Sequence, residues 1–266
     1  MLYFCRFVVF FILLCVTSVD AYSQLPQRKS ITVATWNIGH FSNGVKDYSY
    51  IKPSNFDEKV KKFRTFIYDS IKADILCVNE YESEFCLDSV RGNAIAEDIV
   101  FNGFTTQRVF KKNRYVCNAI FSDKALSNVR KKKFNYDKTT KETIKYISWF
   151  YFVSADIMID GKSVKLVCTH LVNRHEDECQ RQMQQLIEEF GKYDKVIICG
   201  DMNSSDWTKF KQAGYTLAND GSQITFPYRS SSLDNIMVKG LKISEARIVK
   251  TKLSDHYSVV CEISLE

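Results

Sequence analysis

Proline and glycine are scarce, at 3 and 10 of 266 residues. That excludes a collagen-like or Pro/Gly-rich low-complexity chain, and no period recurs that would build a solenoid. No linker-like stretch divides the sequence, so one large domain is expected. No two cysteines have the two-residue spacing of a zinc knuckle, which excludes a structural zinc site of that pattern. What is present is 45% hydrophobic and 14% aromatic residues, enough for a substantial core and too much for a disordered chain.

Arg6 precedes the apolar run Phe7 to Val16, and small or polar residues follow around Val19, Asp20 and Ala21. This is a secretory signal pattern, its apolar run shorter than the roughly 18 residues that span a membrane. We expect residues 1–23 to be removed and 24–266 to form a single domain, secreted or periplasmic; the alternative is an uncleaved anchor starting at Leu2. Of the nine cysteines, seven remain after Cys5 and Cys15, and seven cannot all pair. Cys77, Cys168, Cys199 and Cys261 sit in Val/Ile/Leu-rich runs and read as core thiols. Cys86 and Cys179 lie in polar stretches and are open to pairing.

Charge is uneven. Arg108 to Lys145 holds twelve basic residues against three acidic ones, a net +9, so the rest of this +6 chain is net negative. Phe110, Tyr115, Phe134, Tyr136 and Tyr146 are interleaved with those charges, a composition suited to phosphates beside stacked bases or lipid headgroups. A solvated, Lys-studded hairpin fits it equally.

Apolar patterning alternates strands and helices. Ile31–Ile38 reads as a strand, followed by a helix capped by Ser54 or Asn55 with Phe56, Val60, Phe63, Ile67 and Ile71 at helical spacing. Asp74–Val78 is a short strand that leaves Glu80 at its C-terminal end, and a helix is expected near Val90–Val100. Tyr115–Phe121, Val129–Tyr136 and Tyr146–Ile159 read as antiparallel strands. Val164–Thr169 is a strand ending at His170, Glu176–Phe190 an amphipathic helix, and Lys195–Cys199 a strand leading into Gly200-Asp201-Met202-Asn203. Short strands near 215–217, 236–238, 246–249 and 257–263 complete the chain. Two packed sheets with helices outside, an α/β or α+β sandwich, follow.

Asn37, Glu80, His170, Asp201 with Asn203, and Asp255 with His256 all adjoin strands that should be buried. Any one of these is ordinary turn chemistry or a structural histidine. Together, on one rim, they supply hard oxygen ligands for Mg²⁺, hydrogen-bond donors for a phosphoryl oxyanion, and a His–carboxylate pair to activate water.

The segments Thr35-Trp36-Asn37-Ile38, Leu76-Cys77-Val78-Asn79-Glu80, Asn118-Ala119-Ile120-Phe121-Ser122, Thr169-His170-Leu171, Gly200-Asp201-Met202-Asn203, Leu233-Asp234-Asn235-Ile236 and Ser254-Asp255-His256-Tyr257 run in this order. They resemble, in order, the motifs of the endonuclease/exonuclease/phosphatase superfamily, whose fold is deoxyribonuclease-I-like. The resemblance implies a four-layer α-β-β-α sandwich of two mixed sheets and a metal-dependent phosphoric ester hydrolase. By the same resemblance, Glu80 is the principal Mg²⁺ or Mn²⁺ ligand, with Asn37 beside it and Asp255 completing or supporting the shell. His256, oriented by Asp234, acts on the attacking water, and Asp201 positions the water or His256. Asn203 donates to a phosphoryl oxygen, and His170 binds the phosphate or protonates the leaving oxygen. Substrate contacts are expected at Asn118, Arg114 and Tyr115.

The sequence also departs from the family pattern. Gly39 stands where abasic-site endonucleases of the superfamily carry a carboxylate, Asn79 where Gln is common, and Ser232 where a basic residue is usual. These departures, with export, disfavour a DNA-repair enzyme, and Thr225-Phe226-Pro227 resembles the stand-alone hydrolase branch. The favoured substrate is nucleic acid, DNA or RNA, acted on by a monomer. The alternative is a sphingomyelinase-like phospholipase C or inositol-phosphate phosphatase, with Trp149, Phe150 and Tyr151 touching membrane or, more simply, filling a buried strand. A non-catalytic binding protein would not need the full residue set.

Overall fold

A strand that is apolar on both faces needs a covering layer on each side. Ser30–Asn37 (β1) is such a strand: Ile31 and Val33 enter one buried cluster while Ala34 and Trp36 enter another. The computed structural model that shows this describes residues 29–39, 56–85, 102–110 and 114–266. The expected signal segment, Ser54 and Asn55, the helix near Val90–Val100, and Cys86 lie outside the described residues.

β1 pairs in parallel with Ile75–Phe85 (β2), and the hairpin of Asn102–Phe110 (β3) and Arg114–Ser122 (β4) extends the sheet beyond β2. The second sheet comprises Ser127–Lys133 (β5), Tyr151–Ile159 (β6), Lys162–His170 (β7), Val196–Asp201 (β8), Thr216–Leu217 (β9) and Asp234–Lys239 (β10), in the order β5-β6-β7-β8-β10-β9. The chain then returns with Leu241–Val249 (β11) and Ser258–Leu265 (β12) to give a first sheet ordered β11-β12-β1-β2-β4-β3. Only β1–β2 and β7–β8 are parallel among these pairs, so both sheets are mixed.

Three apolar layers hold the fold together. Between the sheets, Val33, Ile75, Cys77 and Ile120 meet Val153, Leu166, Cys168, Ile197, Cys199 and Ile236. Outside the first sheet, Phe56–Phe66 (α1) and its π-helical continuation Ile67–Ile71 bury Phe63, Ile67 and Ile71 on Trp36, Leu76 and Val78. Outside the second sheet, Glu176–Phe190 (α3, after Lys138–Thr143, α2) lays Cys179, Met183, Leu186 and Phe190 on Phe152, Val167 and Ile198. The stripe in α3 recurs at three- and four-residue spacing, and Glu176, Asp177 and Glu178 complement the positive end of its dipole. The fold is therefore the expected α+β sandwich, in four layers. No helix among the described residues is long and apolar enough to cross a membrane.

Local differences from the sequence reading have physical causes. Tyr146–Ile159 is not one strand: Ile147–Trp149 forms a 3-10 turn, and β6 starts at Tyr151. Asp137 Oδ1 accepts from the Thr140 amide at 2.6 Å, and this cap initiates α2 in a stretch too polar to announce itself by periodicity. Cys179, open to pairing on the sequence, is a free thiol on the buried face of α3, its Sγ 2.9 Å from the Val172 carbonyl oxygen and 3.1 Å from that of Met202. Cys77, Cys168, Cys179, Cys199 and Cys261 are free thiols and buried, and Cys117 is buried as well.

Candidate active site

Strand register assembles the site before any side-chain packing is considered. In the second sheet His170 pairs with Asp201 across β7–β8, and Asp201 pairs with Asp234 across β8–β10. In the first sheet Asn37 pairs with Asn79 across β1–β2. The two rows face each other at one rim of the sandwich, where buried amides join them. Asn37 Nδ2 donates to Asp201 Oδ2 at 3.0 Å, and Asn79 Oδ1 accepts from the Asp201 amide at 2.9 Å.

Asn79, which the sequence offered only as a departure from Gln, is the hub. Its Nδ2 donates to Asn118 Oδ1 and to the Thr169 carbonyl, both at 2.9 Å, so one side chain ties β2 to β4, β7 and β8. A buried amide satisfied in this way fixes the spacing of the strands it bridges. Asn118 in turn donates from Nδ2 to the Tyr151 carbonyl at 3.0 Å, while its own amide donates to Tyr151 Oη at 2.9 Å. The Asn118 side chain is thus held in place by bonds at both its oxygen and its nitrogen, and it lines the cleft that contains Glu80 and His170. Arg114 and Tyr115 open β4 opposite Phe85 and Glu84; their side chains lie outside the description.

Glu80 lies within β2 and not at its end as expected. Between the Val78–Ala119 and Tyr81–Cys117 pairs β2 has one residue more than β4, a bulge, and Glu80 occupies it with φ +53°. Left-handed backbone in a non-glycine residue is strained, and bulges re-aim side chains. Here successive residues serve different ends: Asn79 turns into the core, while Glu80 lines a small cleft with Asn118, Trp149, Phe150, Tyr151 and His170.

Asp201 stands between two imidazoles, its Oδ2 3.4 Å from His170 Nε2 and 3.7 Å from His256 Nε2. His256 Nδ1 lies 2.8 Å from Asp234 Oδ2, and the ring packs on Phe226 with centroids 4.7 Å apart. Thr225 Oγ1 accepts from the amides of Leu233 and Asp234, fixing the start of β10. Burial disfavours a charged imidazole, but the Asp234 and Asp201 carboxylates outweigh it and push His256 up to about 10. Burial likewise raises Asp201, opposed by His256 and His170. Asp234 Oδ1 is buried with no hydrogen-bond partner among the described residues.

The loop before β12 is pinned to the first sheet: Ser254 Oγ donates to the Asn37 carbonyl at 2.6 Å, and Trp36 Nε1 donates to the His256 carbonyl at 3.1 Å. Asp255, half-buried, accepts from Ser254 Oγ at 3.3 Å. Asn203, with φ +50°, donates from Nδ2 to the Leu171 carbonyl and from its amide to Asp201 Oδ1, both at 2.9 Å. One side-chain N–H of Asn203 remains beyond the Leu171 bond. The structure therefore brings Asn37, His170, Asp201, Asn203, Asp234 and His256 together at one rim, with Glu80 in the adjoining cleft and Asp255 next to His256. The ligand atoms of Asp201, Asp234 and His256 all lie within 4.8 Å of one another, so this buried cluster could hold a metal ion.

No family model and no curated relative matches the sequence. Solved structures do match. An endonuclease/exonuclease/phosphatase from Beutenbergia cavernae is 13% identical over 90% of this chain and 72% of its own, with a TM-score of 0.69. The human Nocturnin catalytic domain with bound sulfate is 17% identical over 90% and 96%, with a TM-score of 0.63. D. rerio TDP2 complexed with a single-strand DNA product is 13% identical over 88% and 99%, with a TM-score of 0.63.

Proposed function

We propose that this chain, which has the fold of the endonuclease/exonuclease/phosphatase superfamily, is an exported, Mg²⁺-dependent phosphodiesterase acting on nucleic acid. The observation that carries the reading is the row His170–Asp201–His256–Asp234, two imidazoles sharing one buried carboxylate oxygen with a second carboxylate behind one of them. Export rests on Arg6 and the Phe7–Val16 run, and would be read from the N-terminal residue of protein recovered outside the cell.

Two sets of residues come into question as ligands of a cation. Both ring nitrogens of His256 face carboxylate oxygens, and Nδ1 is held by Asp234, so the Asp201–Asp234–His256 cluster is better suited to moving a proton. Glu80, with Asn37 and Asp255, offers the hard oxygens that Mg²⁺ prefers, and Mn²⁺ would fit the same set. Those residues would hold the ion, which would supply Lewis-acid polarisation of a phosphoryl oxygen there.

The chain's own residues do the rest. With Nδ1 fixed on Asp234, only Nε2 of His256 faces the reaction. The proton leaving the attacking water passes to the pair of Asp201 Oδ2 and His256 Nε2, which lie 3.7 Å apart. His170 Nε2, on the other side of Asp201, binds the phosphate or gives a proton to the leaving oxygen. The remaining N–H of Asn203 donates to a non-bridging oxygen, whose charge is largest in the transition state.

The test uses the mature chain with Mg²⁺, with Mn²⁺ and with EDTA on plasmid DNA, RNA, sphingomyelin and inositol phosphates. Metal-dependent cleavage of nucleic acid is expected, lowered about a hundredfold to ten-thousandfold in His256→Ala with folding retained. Full activity in that variant, or turnover confined to lipid or inositol phosphates, overturns the reading.

A further inference from the structure

Both flanks of the catalytic row carry exposed aromatic rings. On one side Phe150 meets His170 edge-on at 5.8 Å, and its neighbour Trp149 is 39% exposed while lining the cleft that holds Glu80 and His170. On the other side Phe226 lies on His256, and Tyr228, 5.9 Å from Phe226, is 54% exposed. The sequence along this arc is ring, imidazole, carboxylate, imidazole, ring, with Asp201 at its centre.

Large aromatics held in water beside a reaction centre expose apolar area that a fold would ordinarily bury. Trp149 sits in the 3-10 turn Ile147–Trp149, packed by Tyr146 at 6.1 Å, and Tyr228 sits in the 3-10 turn Pro227–Arg229. An exposed cation lies near each ring in sequence: Lys145, which precedes Tyr146, on one side, and Arg229, which follows Tyr228, on the other.

A ligand matching this arc has a central phosphate over Asp201, a π-face on either side of it, and further negative charge beyond. A phospholipid or an inositol phosphate has no such rings. A duplex has them, but stacked on one another and closed to side chains. Resting on the nuclease reading above, we propose that Trp149 and Tyr228 are base-stacking platforms on the two sides of the scissile phosphate. The substrate is then a single-stranded polynucleotide, bound through unpaired bases and without base-specific hydrogen bonds.

The experiment compares a short oligodeoxyuridylate, the matching oligouridylate, an all-abasic oligomer of equal length and a duplex. Affinity is measured by anisotropy in EDTA, and kcat and KM are measured in Mg²⁺. The full chain should bind either base-bearing single strand roughly ten- to a hundredfold tighter per stacked base than the abasic oligomer, with tryptophan emission quenched on binding. Preference for one of the two single strands assigns the sugar. Trp149→Ala with Tyr228→Ala should raise KM on base-bearing strands to the abasic level, leave kcat within a few-fold, and leave abasic binding unchanged. Equal affinity of the wild type for abasic and base-bearing oligomers, tighter binding of duplex, or a double variant that keeps the preference overturns the proposal while the nuclease reading stands. Absence of cleavage of any nucleic acid, with turnover of lipid, overturns both.

Discussion

Asn79 and His256 show how much rests on single side chains. Asn79 is fully buried and makes three hydrogen bonds to three different strands. Replacing it with Ala removes all three and leaves the Asn118 oxygen, the Thr169 carbonyl and the Asp201 amide to find other partners in the core. Each such group costs roughly 1–3 kcal/mol, so Asn79→Ala should lose about 3–5 kcal/mol in urea unfolding and should lose turnover even where the protein is fully folded. Wild-type stability in that variant would show that the strand spacing is set elsewhere. His256 yields a pH prediction. Its folded value is raised to about 10 from 6.5 by two carboxylates, so the stabilisation is complete below about pH 6.5. It is lost as pH rises toward 10. In EDTA, the stability gap between wild type and His256→Gln should therefore shrink by up to a few kcal/mol between pH 6 and pH 10. A gap independent of pH would mean that the imidazole is not charged in the folded protein.

Elements determine which of these residues could be read in advance. Helix α3 was legible in its bounds because Met183, Leu186 and Phe190 recur at helical spacing, whereas Cys179, the fourth member of its buried stripe, was masked by polar neighbours. Strands β1, β7 and β8 were legible because burial on both faces leaves them rich in β-branched and apolar residues, and the polar residues at their ends stand out. The β2 bulge was not: Asn79-Glu80-Tyr81-Glu82 looks like the end of a strand, yet β2 continues to Phe85 because pairing with β4 resumes beyond the extra residue. Trp149 was hidden for a similar reason, since an aromatic run reads as a buried strand and only the 3-10 turn brings the ring to the surface. The strand pairing itself depends on Gly200. Its φ is +148°, and a Cβ there would lie 1.8 Å from the Thr169 carbonyl oxygen on β7. Gly200→Ala must push β7 from β8 next to the His170–Asp201 pair. It should cost more than about 3 kcal/mol and abolish activity together with folding; a variant with wild-type melting temperature and activity would sink this account of the β7–β8 contact.

Across the whole molecule the dominant feature is the basic segment, and β5 gives it a direction. β5 is an edge strand of the second sheet, and lysines on edges also serve to prevent strand-to-strand aggregation, a role that needs no substrate. Its two faces differ. Lys132 points toward α3 and pairs with Glu189 at 2.6 Å, whereas Lys131 lies over the Tyr151 ring at 4.4 Å, on the side of the strand that leads to the Glu80 cleft. Alternation places Lys133 on the same face as Lys131, opposite Tyr151 in the β5–β6 register. If this face tracks a phosphate backbone, kcat/KM on a polynucleotide should fall linearly with salt on a double-logarithmic plot, and Lys131→Gln with Lys133→Gln should reduce the slope by about two. Lys132→Gln, which removes a charge already paired with Glu189, should change the slope little. Each variant is read against turnover of a small phosphodiester, which carries no second phosphate and should be insensitive to all three changes. Slopes that depend only on the number of charges removed, regardless of face, would mean that the segment acts by long-range steering alone. Unchanged slopes in every variant would leave β5 as a protected sheet edge.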